Sequence, residues 1–145
     1  MMKVGIKVSE AMTKNPVTNS KESSIPFCAR KMLSQNIGAI IVKEKNHLLG
    51  MITEKDIVEN AVAKELNIKK TTAKDIMMTG MITISPDADL SEAVKIMTQQ
   101  NVRRLPVIKD NKLVGLLTMR DIVYVQPRLF EKLYEYFIKE KIKKA

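Results

Sequence analysis

The chain has one cysteine, one histidine and no tryptophan, and its aromatic residues amount to three tyrosines and three phenylalanines. The lone Cys28 cannot close an internal disulfide and fits a reducing compartment, and at a helical position it reads as a small buried hydrophobe. The lone His47 stands beside Asn46 in a turn-like stretch, where an exposed turn residue is expected. With neither residue in company, no metal-spaced Cys/His cluster can form. No Ser, His and acid set and no phosphate-binding Gly-rich loop is present either, so no enzyme and no catalytic cofactor is expected. The opening MMKVGIKV holds no apolar run long enough for a signal peptide or a membrane span, so the chain is expected to be soluble and cytoplasmic. What is there is 145 residues at 45% hydrophobic, enough for one compact body or two small interlocked ones.

Charge of one sign dominates only in total. The net charge of +9 divides into +2 on residues 1–7, +2 on 8–58, +1 on 59–72, +1 on 73–123 and +3 on 124–145. A diffuse excess attracts polyanions without marking a binding face, so a small basic nucleic-acid-binding protein is the alternative rather than the leading expectation.

The strongest positive feature is an internal repeat. Adding 65 to a residue number carries residues 8–58 onto 73–123 without a gap. Met12 meets Met77, Thr18 meets Thr83, Met32 meets Met97, and Gln35-Asn36 meets Gln100-Asn101. Gly50 meets Gly115, Thr53 meets Thr118, and Asp56-Ile57-Val58 meets Asp121-Ile122-Val123. A module of this size cannot bury its apolar face alone, so the two copies are expected to pack on one another, with function in the seam.

Each copy reads as strand, helix, strand, strand, helix, an α+β pattern. In the second, residues 81–84 form a β-type run ended by Ser85-Pro86, and Asp89 followed by Glu92 is a capping-box start for a helix with Leu90, Ala93, Val94 and Met97 inward. Residues 102–108 and 113–117 are apolar strands joined at Asp110-Asn111. The first copy predicts strand-type residues at Val17-Thr18, a helix over 24–35 with Pro26 near its start, strands at 39–42 and 48–52 about a turn at Lys45-Asn46, and a helix continuing through 61–66. Residues 67–72 form a polar linker. The domains are thus expected at 8–66 and 73–126, followed by an amphipathic helix at 128–144 that begins beyond Pro127. That helix carries Leu129, Leu133 and Tyr136 with Phe130, Tyr134 and Phe137, and Glu135/Lys139 and Glu140/Lys144 at i,i+4. Its rings either cap the helix's own core or form a homodimer or partner contact; both readings stand open.

The local pattern that carries chemistry is Gly50-x-x-Thr53-x-x-Asp56, repeated as Gly115-x-x-Thr118-x-x-Asp121. One reading is purely structural: a threonine that ends a strand and a carboxylate three residues on make a capping box. The other takes the free amides of a helix N-terminus and the threonine hydroxyl for a phosphate, and the aspartate for the two hydroxyls of a ribose.

These motifs, with the Met12/Met77 lead-in and the strand Arg103-Arg104-Leu105-Pro106-Val107, resemble the cystathionine beta-synthase (CBS) domain family over residues 8–126. The resemblance implies a tandem pair, a Bateman module of two β-α-β-β-α repeats packed with pseudo-twofold symmetry, plus the C-terminal helix. It implies clefts that bind adenosine-type ligands, such as AMP, ADP, ATP or S-adenosylmethionine, and a homodimer that signals to a regulated protein. Carried onto this chain, it places Thr118 and Asp121 at phosphate and ribose, Arg103 and Arg104 within reach of phosphate, Ile82-Thr83 beside the adenine, Pro106 in the adjoining strand and Arg120 at the rim. In the first repeat Val17, Thr18, Thr53 and Asp56 match, while Gly38 and Ala39 replace the two arginines and Lys55 replaces Arg120. The first site is therefore expected to suit a smaller or less anionic ligand, or to be an empty cleft. An oligomerisation module with degenerate clefts is the further alternative.

Overall fold

A computed structural model describes residues 3–144 of the chain. The chain divides into two compact units, one of Pro16–Met81 and one of Met1–Asn15 with Ile82–Ala145. The sequence repeats and these units are out of step: each unit holds the hairpin of one repeat and the lead-in of the other.

The first unit in chain order, Pro16–Met81, is built on the sheet β1 (Thr18–Asn19), β2 (Ala39–Glu44) and β3 (His47–Thr53), with β1 parallel and β3 antiparallel to β2. Helix α2 (Ile25–Gln35) starts at Ser24, whose hydroxyl accepts the Phe27 amide at 3.2 Å, with proline in its first turn. It ends on Asn36 at φ 52°, ψ 50°, a left-handed conformation that asparagine tolerates better than most residues. The α2 residues Ile25, Cys28 and Met32 close over Ile40, Val42 and Ile52 of the sheet. Helix α3 (Glu54–Asp56) runs on as a π-helical segment Ile57–Val62. The expected helix through 61–66 therefore stops at Val62, and the chain turns there, with Glu65 at φ 54°. Helix α4 (Ala73–Ile76), preceded by a Thr72/Asp75 capping box, places Ala73 and Ile76 in this same core.

The other unit repeats the plan. Helix α1 (Val8–Ala11) is the counterpart of α4 and puts Val8 and Ala11 into a core with α5 (Leu90–Gln100), β4 (Arg104–Lys109), β5 (Lys112–Thr118) and α6 (Met119–Val125). Helix α5 ends on Asn101 at φ 54°, as α2 ends on Asn36. The β4–β5 turn has Asp110 and Asn111 both at positive φ, 51° and 63°, as a tight hairpin requires. Each hairpin slips register at the same place, after Val42 and after Val107. The expected strand at 81–84 is not formed: only Ile84 bridges Val107, because the Ile84 amide and carbonyl bond Pro106 and Ile108 while Ile82 and Thr83 stay exposed.

After α6 a 3-10 turn at Pro127–Leu129 leads into a continuous helix comprising α7 (Phe130–Leu133), a π-helical segment Tyr134–Ile138 and α8 (Lys139–Lys144). Leu129, Leu133 and Phe137 are buried in the core of this unit, whereas Phe130 and Tyr136 are exposed. The capping reading thus holds for the Leu129/Leu133/Phe137 stripe, where Phe137 is the ring that faces its own core. The expected Glu140/Lys144 pair lies outside the described side chains.

Asp89 ties α1's strand-like approach to α5. Its carboxylate accepts the amides of Val4 at 3.0 Å, Gly5 at 2.9 Å and Ser91 at 2.9 Å, and the Ser91 hydroxyl. It thus caps α5 through Ser91 rather than through a reciprocal box with Glu92, whose amide bonds the Asp89 carbonyl at 3.0 Å. Burial works to raise this carboxyl, and the Ser91 hydroxyl with the Val4, Ser91 and Gly5 amides outweigh it, holding the group well below the usual carboxylate range. A folded-state pKa below the unfolded one gives stabilisation that is complete above the ordinary carboxylate range and is lost progressively as pH falls from there through the lower folded-state value. Asp89→Ala should lose about 1–2 kcal/mol at neutral pH. Urea titrations should show the gap between the two proteins narrowing below about pH 4; a gap independent of pH would mean the carboxylate is not the source.

Candidate functional site

The repeated Thr-x-x-Asp motifs share one backbone geometry and the same two amide bonds. Thr53 ends β3 in extended backbone (φ −114°, ψ 165°), its hydroxyl accepts the Asp56 amide at 3.1 Å, and the Asp56 Oδ2 accepts the Thr53 amide at 2.8 Å and hydroxyl at 2.9 Å. Thr118 ends β5 the same way (φ −110°, ψ 160°), its hydroxyl accepting the Asp121 amide at 3.1 Å and its amide donating to Asp121 Oδ2 at 3.0 Å. The capping box is therefore realised in both units. It leaves two half-buried carboxylates, each locked at the end of a strand with acceptor capacity to spare.

The expected cradle of free helix amides is not there. The amide of Glu54 donates to the Gly38 carbonyl at 3.1 Å and that of Met119 to the Arg103 carbonyl at 3.0 Å. With the Asp56 and Asp121 amides bonded to threonine, two of the first three amides of each helix are spent. A phosphate here would have to be met mainly by side chains.

Strand register assembles the other candidates. Ala39 pairs with Thr53 and Arg104 with Thr118, so Gly38-Ala39 and Arg103-Arg104 stand beside their respective boxes. Val17 accepts the Ile41 amide at 3.1 Å, and Thr18 pairs with Ile41 two residues further along β2. Lys31 braces that edge, donating to the Thr18 carbonyl at 2.9 Å and to Asn19 Oδ1 at 2.6 Å. In the other unit Ile82 and Thr83 are exposed, and Pro106 is buried, its carbonyl taking the Ile84 amide at 3.0 Å.

The basic side chains are less concerted than their spacing suggests. The Arg103 guanidinium lies 5.4 Å from the Phe137 ring centre, a cation–π contact. Arg104 is half-buried and Arg120 exposed, while Lys55 is exposed and reaches Glu59 at 3.7 Å. Cys28 is buried, with Asn19 Nδ2 at 3.4 Å from its Sγ, and His47 is exposed in the β2–β3 hairpin, both as expected. Among the described residues, no group of His, Cys, Asp and Glu could hold a metal, and no helix is long and apolar enough to cross a membrane.

One participant escaped sequence reasoning. Thr13, in the lead-in after α1, bridges Leu116 of β5 through both backbone groups and sets its hydroxyl 3.3 and 3.2 Å from the two oxygens of Asp121. The signal was available as a break in the repeat: Thr13 aligns with Met78.

The CBS domain family model matches residues 8–63 and again residues 73–128. A Methanocaldococcus jannaschii protein, MJ0653, is 43% identical over 131 residues, covering 90% of this chain and 68% of the relative. The CBS domain-containing protein YhcV of Bacillus subtilis is 33% identical over 119 residues, 82% of this chain and 84% of that one. Among solved structures, the hexameric CBS-CP12 protein from bloom-forming cyanobacteria matches with a TM-score of 0.72 at 26% identity, covering 95% of this chain and 80% of that chain.

Proposed function

The chain belongs to the CBS domain family, and from that premise we propose that it is a non-catalytic regulatory module that binds adenosine-containing ligands, of the AMP, ADP, ATP or S-adenosylmethionine type, and signals occupancy to a partner protein. CBS domain pairs are generally regulatory and ligand-binding. The observation that supports the adenosine reading is the pair of carboxylates, Asp56 and Asp121, each held by a Thr-Asp box at a strand end with lone pairs left for a ribose diol. Val17-Thr18 and Ile82-Thr83 then flank the adenine, and Arg103, Arg104 and Arg120 give one unit the greater share of donors for phosphate. Homodimerisation accompanies this role, as oligomers do in the hexameric CBS-CP12 relative. The signal is a population shift, limited by the ligand's differential affinity for two arrangements.

The test is calorimetric titration with AMP, ATP and S-adenosylmethionine. Asp121→Asn keeps an oxygen for the Thr118 amide while removing the charge, so the cap survives and ribose binding suffers. The expected loss is about tenfold, the scale of one hydrogen bond to a charged group. Unchanged affinity would leave these aspartates as caps alone. If no adenosine compound raised the melting temperature, a degenerate oligomerisation module would be the better reading.

A further inference from the structure

We propose that Thr13 sets the strength of ribose recognition at Asp121, and that its absence from the equivalent place makes Asp56 the more demanding reader of ribose hydroxyls. The inference rests on the adenosine reading and concerns a residue that the motif itself does not contain.

A carboxylate offers about four lone-pair positions. At Asp121 the Thr118 amide takes one on Oδ2, and the Thr13 hydroxyl lies astride both oxygens at 3.3 and 3.2 Å. That is the edge a vicinal diol needs, because its two hydroxyls donate in parallel, one to each oxygen. Thr13 therefore stands in for the ligand. Its backbone cannot withdraw, since its amide and carbonyl bond Leu116 at 2.9 and 3.0 Å, but the side chain is exposed and a rotation about χ1 would clear the edge. A ribose arriving at Asp121 thus exchanges one hydroxyl for another and gains less than at an unoccupied carboxylate.

The other unit lacks the competitor. Met78 occupies the equivalent position, bridging Met51 as Thr13 bridges Leu116, and its thioether side chain has no hydrogen to donate. Asp56 Oδ2 serves the Thr53 amide and hydroxyl, and Oδ1 accepts no hydrogen bond among the described residues. The two units share a motif and differ in whether Oδ1 of its carboxylate already has a donor: Thr13 reaches it at Asp121, and at Asp56 both donors sit on Oδ2.

The experiment is calorimetry with AMP and 2′,3′-dideoxy-AMP on Thr13→Val, in an Asp56→Asn background that isolates the Asp121 site. Thr13→Val keeps the β-branched shape and removes the hydroxyl. It should tighten AMP about three- to tenfold, the scale of one exposed hydrogen bond, without changing the dideoxy compound. Thr13→Ser should return AMP to the original affinity, and Met78→Thr in an Asp121→Asn background should weaken AMP at Asp56. If Thr13→Val leaves AMP unchanged or weakens it while Asp121→Asn still reduces binding, the inference fails and the adenosine reading stands. If Asp121→Asn has no effect, or AMP does not bind, the inference falls, and if ATP and S-adenosylmethionine also fail to bind, the adenosine reading falls with it. Thr13→Ala, which demands nothing of packing, repeats the test should the valine variant misfold.

Discussion

Leu133→Ala is expected to destabilise its unit by about 2–5 kcal/mol, the range for truncating a fully enclosed leucine. Leu133 has 0% of its surface accessible and shares a core with Val8, Met97, Leu105 and Phe137. The tail helix is thereby part of the fold of this unit rather than an appendage on it. Thermal melts should show a drop on the order of 10 °C or more, given roughly 4–8 °C per kcal/mol in a small domain. Tyr136→Ala, at a position 43% exposed, should change stability by less than about 0.5 kcal/mol in the isolated chain. Sedimentation of the Tyr136 variant addresses any contact made by the outward rings. Equal small effects from both substitutions would show that the helix does not contribute to this core.

Gly50→Ala should be the most damaging change outside the cores. A Cβ at Gly50 would lie 2.5 Å from the Met78 carbonyl oxygen and 2.9 Å from the Met77 Sδ. That carbonyl accepts the Met51 amide at 3.0 Å while the Met78 amide donates to Met51 at 2.8 Å, so the lead-in cannot retreat without breaking its only pairing with β3 among the described residues. Overpacking of this kind costs about 1–3 kcal/mol, and the lost bridge adds to it. At Gly115 the nearest atom is the Met12 Sδ at 2.5 Å, part of a flexible side chain, with the Thr13 carbonyl at 3.0 Å. Gly115→Ala should therefore cost less than Gly50→Ala in denaturant titrations. The reverse order would mean that the two lead-ins are not seated as described.

These glycines bear on what could be read from the chain alone. Their repetition was plain, and so was that of Met12 and Met77, but nothing local says that the methionine segment of one repeat lies against the glycine strand of the other. That choice is made by burial: Val8 and Ala11 complete one core, Ala73 and Ile76 the other.

By itself the sequence determined the features whose causes lie within a few residues. The Thr-x-x-Asp boxes close over three residues, the Asn36 and Asn101 helix ends need only a side chain tolerant of positive φ, and the hairpins follow from two apolar runs about a turn. Duplication then doubled each signal, which made the architecture and family legible. Local patterns failed where a distant partner competes for the same group. The amides of Glu54 and Met119 were taken by the carbonyls of Gly38 and Arg103, and the stretch 81–84 kept a single bridge. Above all, Thr13 reached Asp121 across 108 residues, a contact that exists only because packing of the lead-in brings its hydroxyl to the end of β5. Short-range hydrogen bonds are written in spacing, but long-range ones depend on which surfaces find each other, and that is settled only when the cores close.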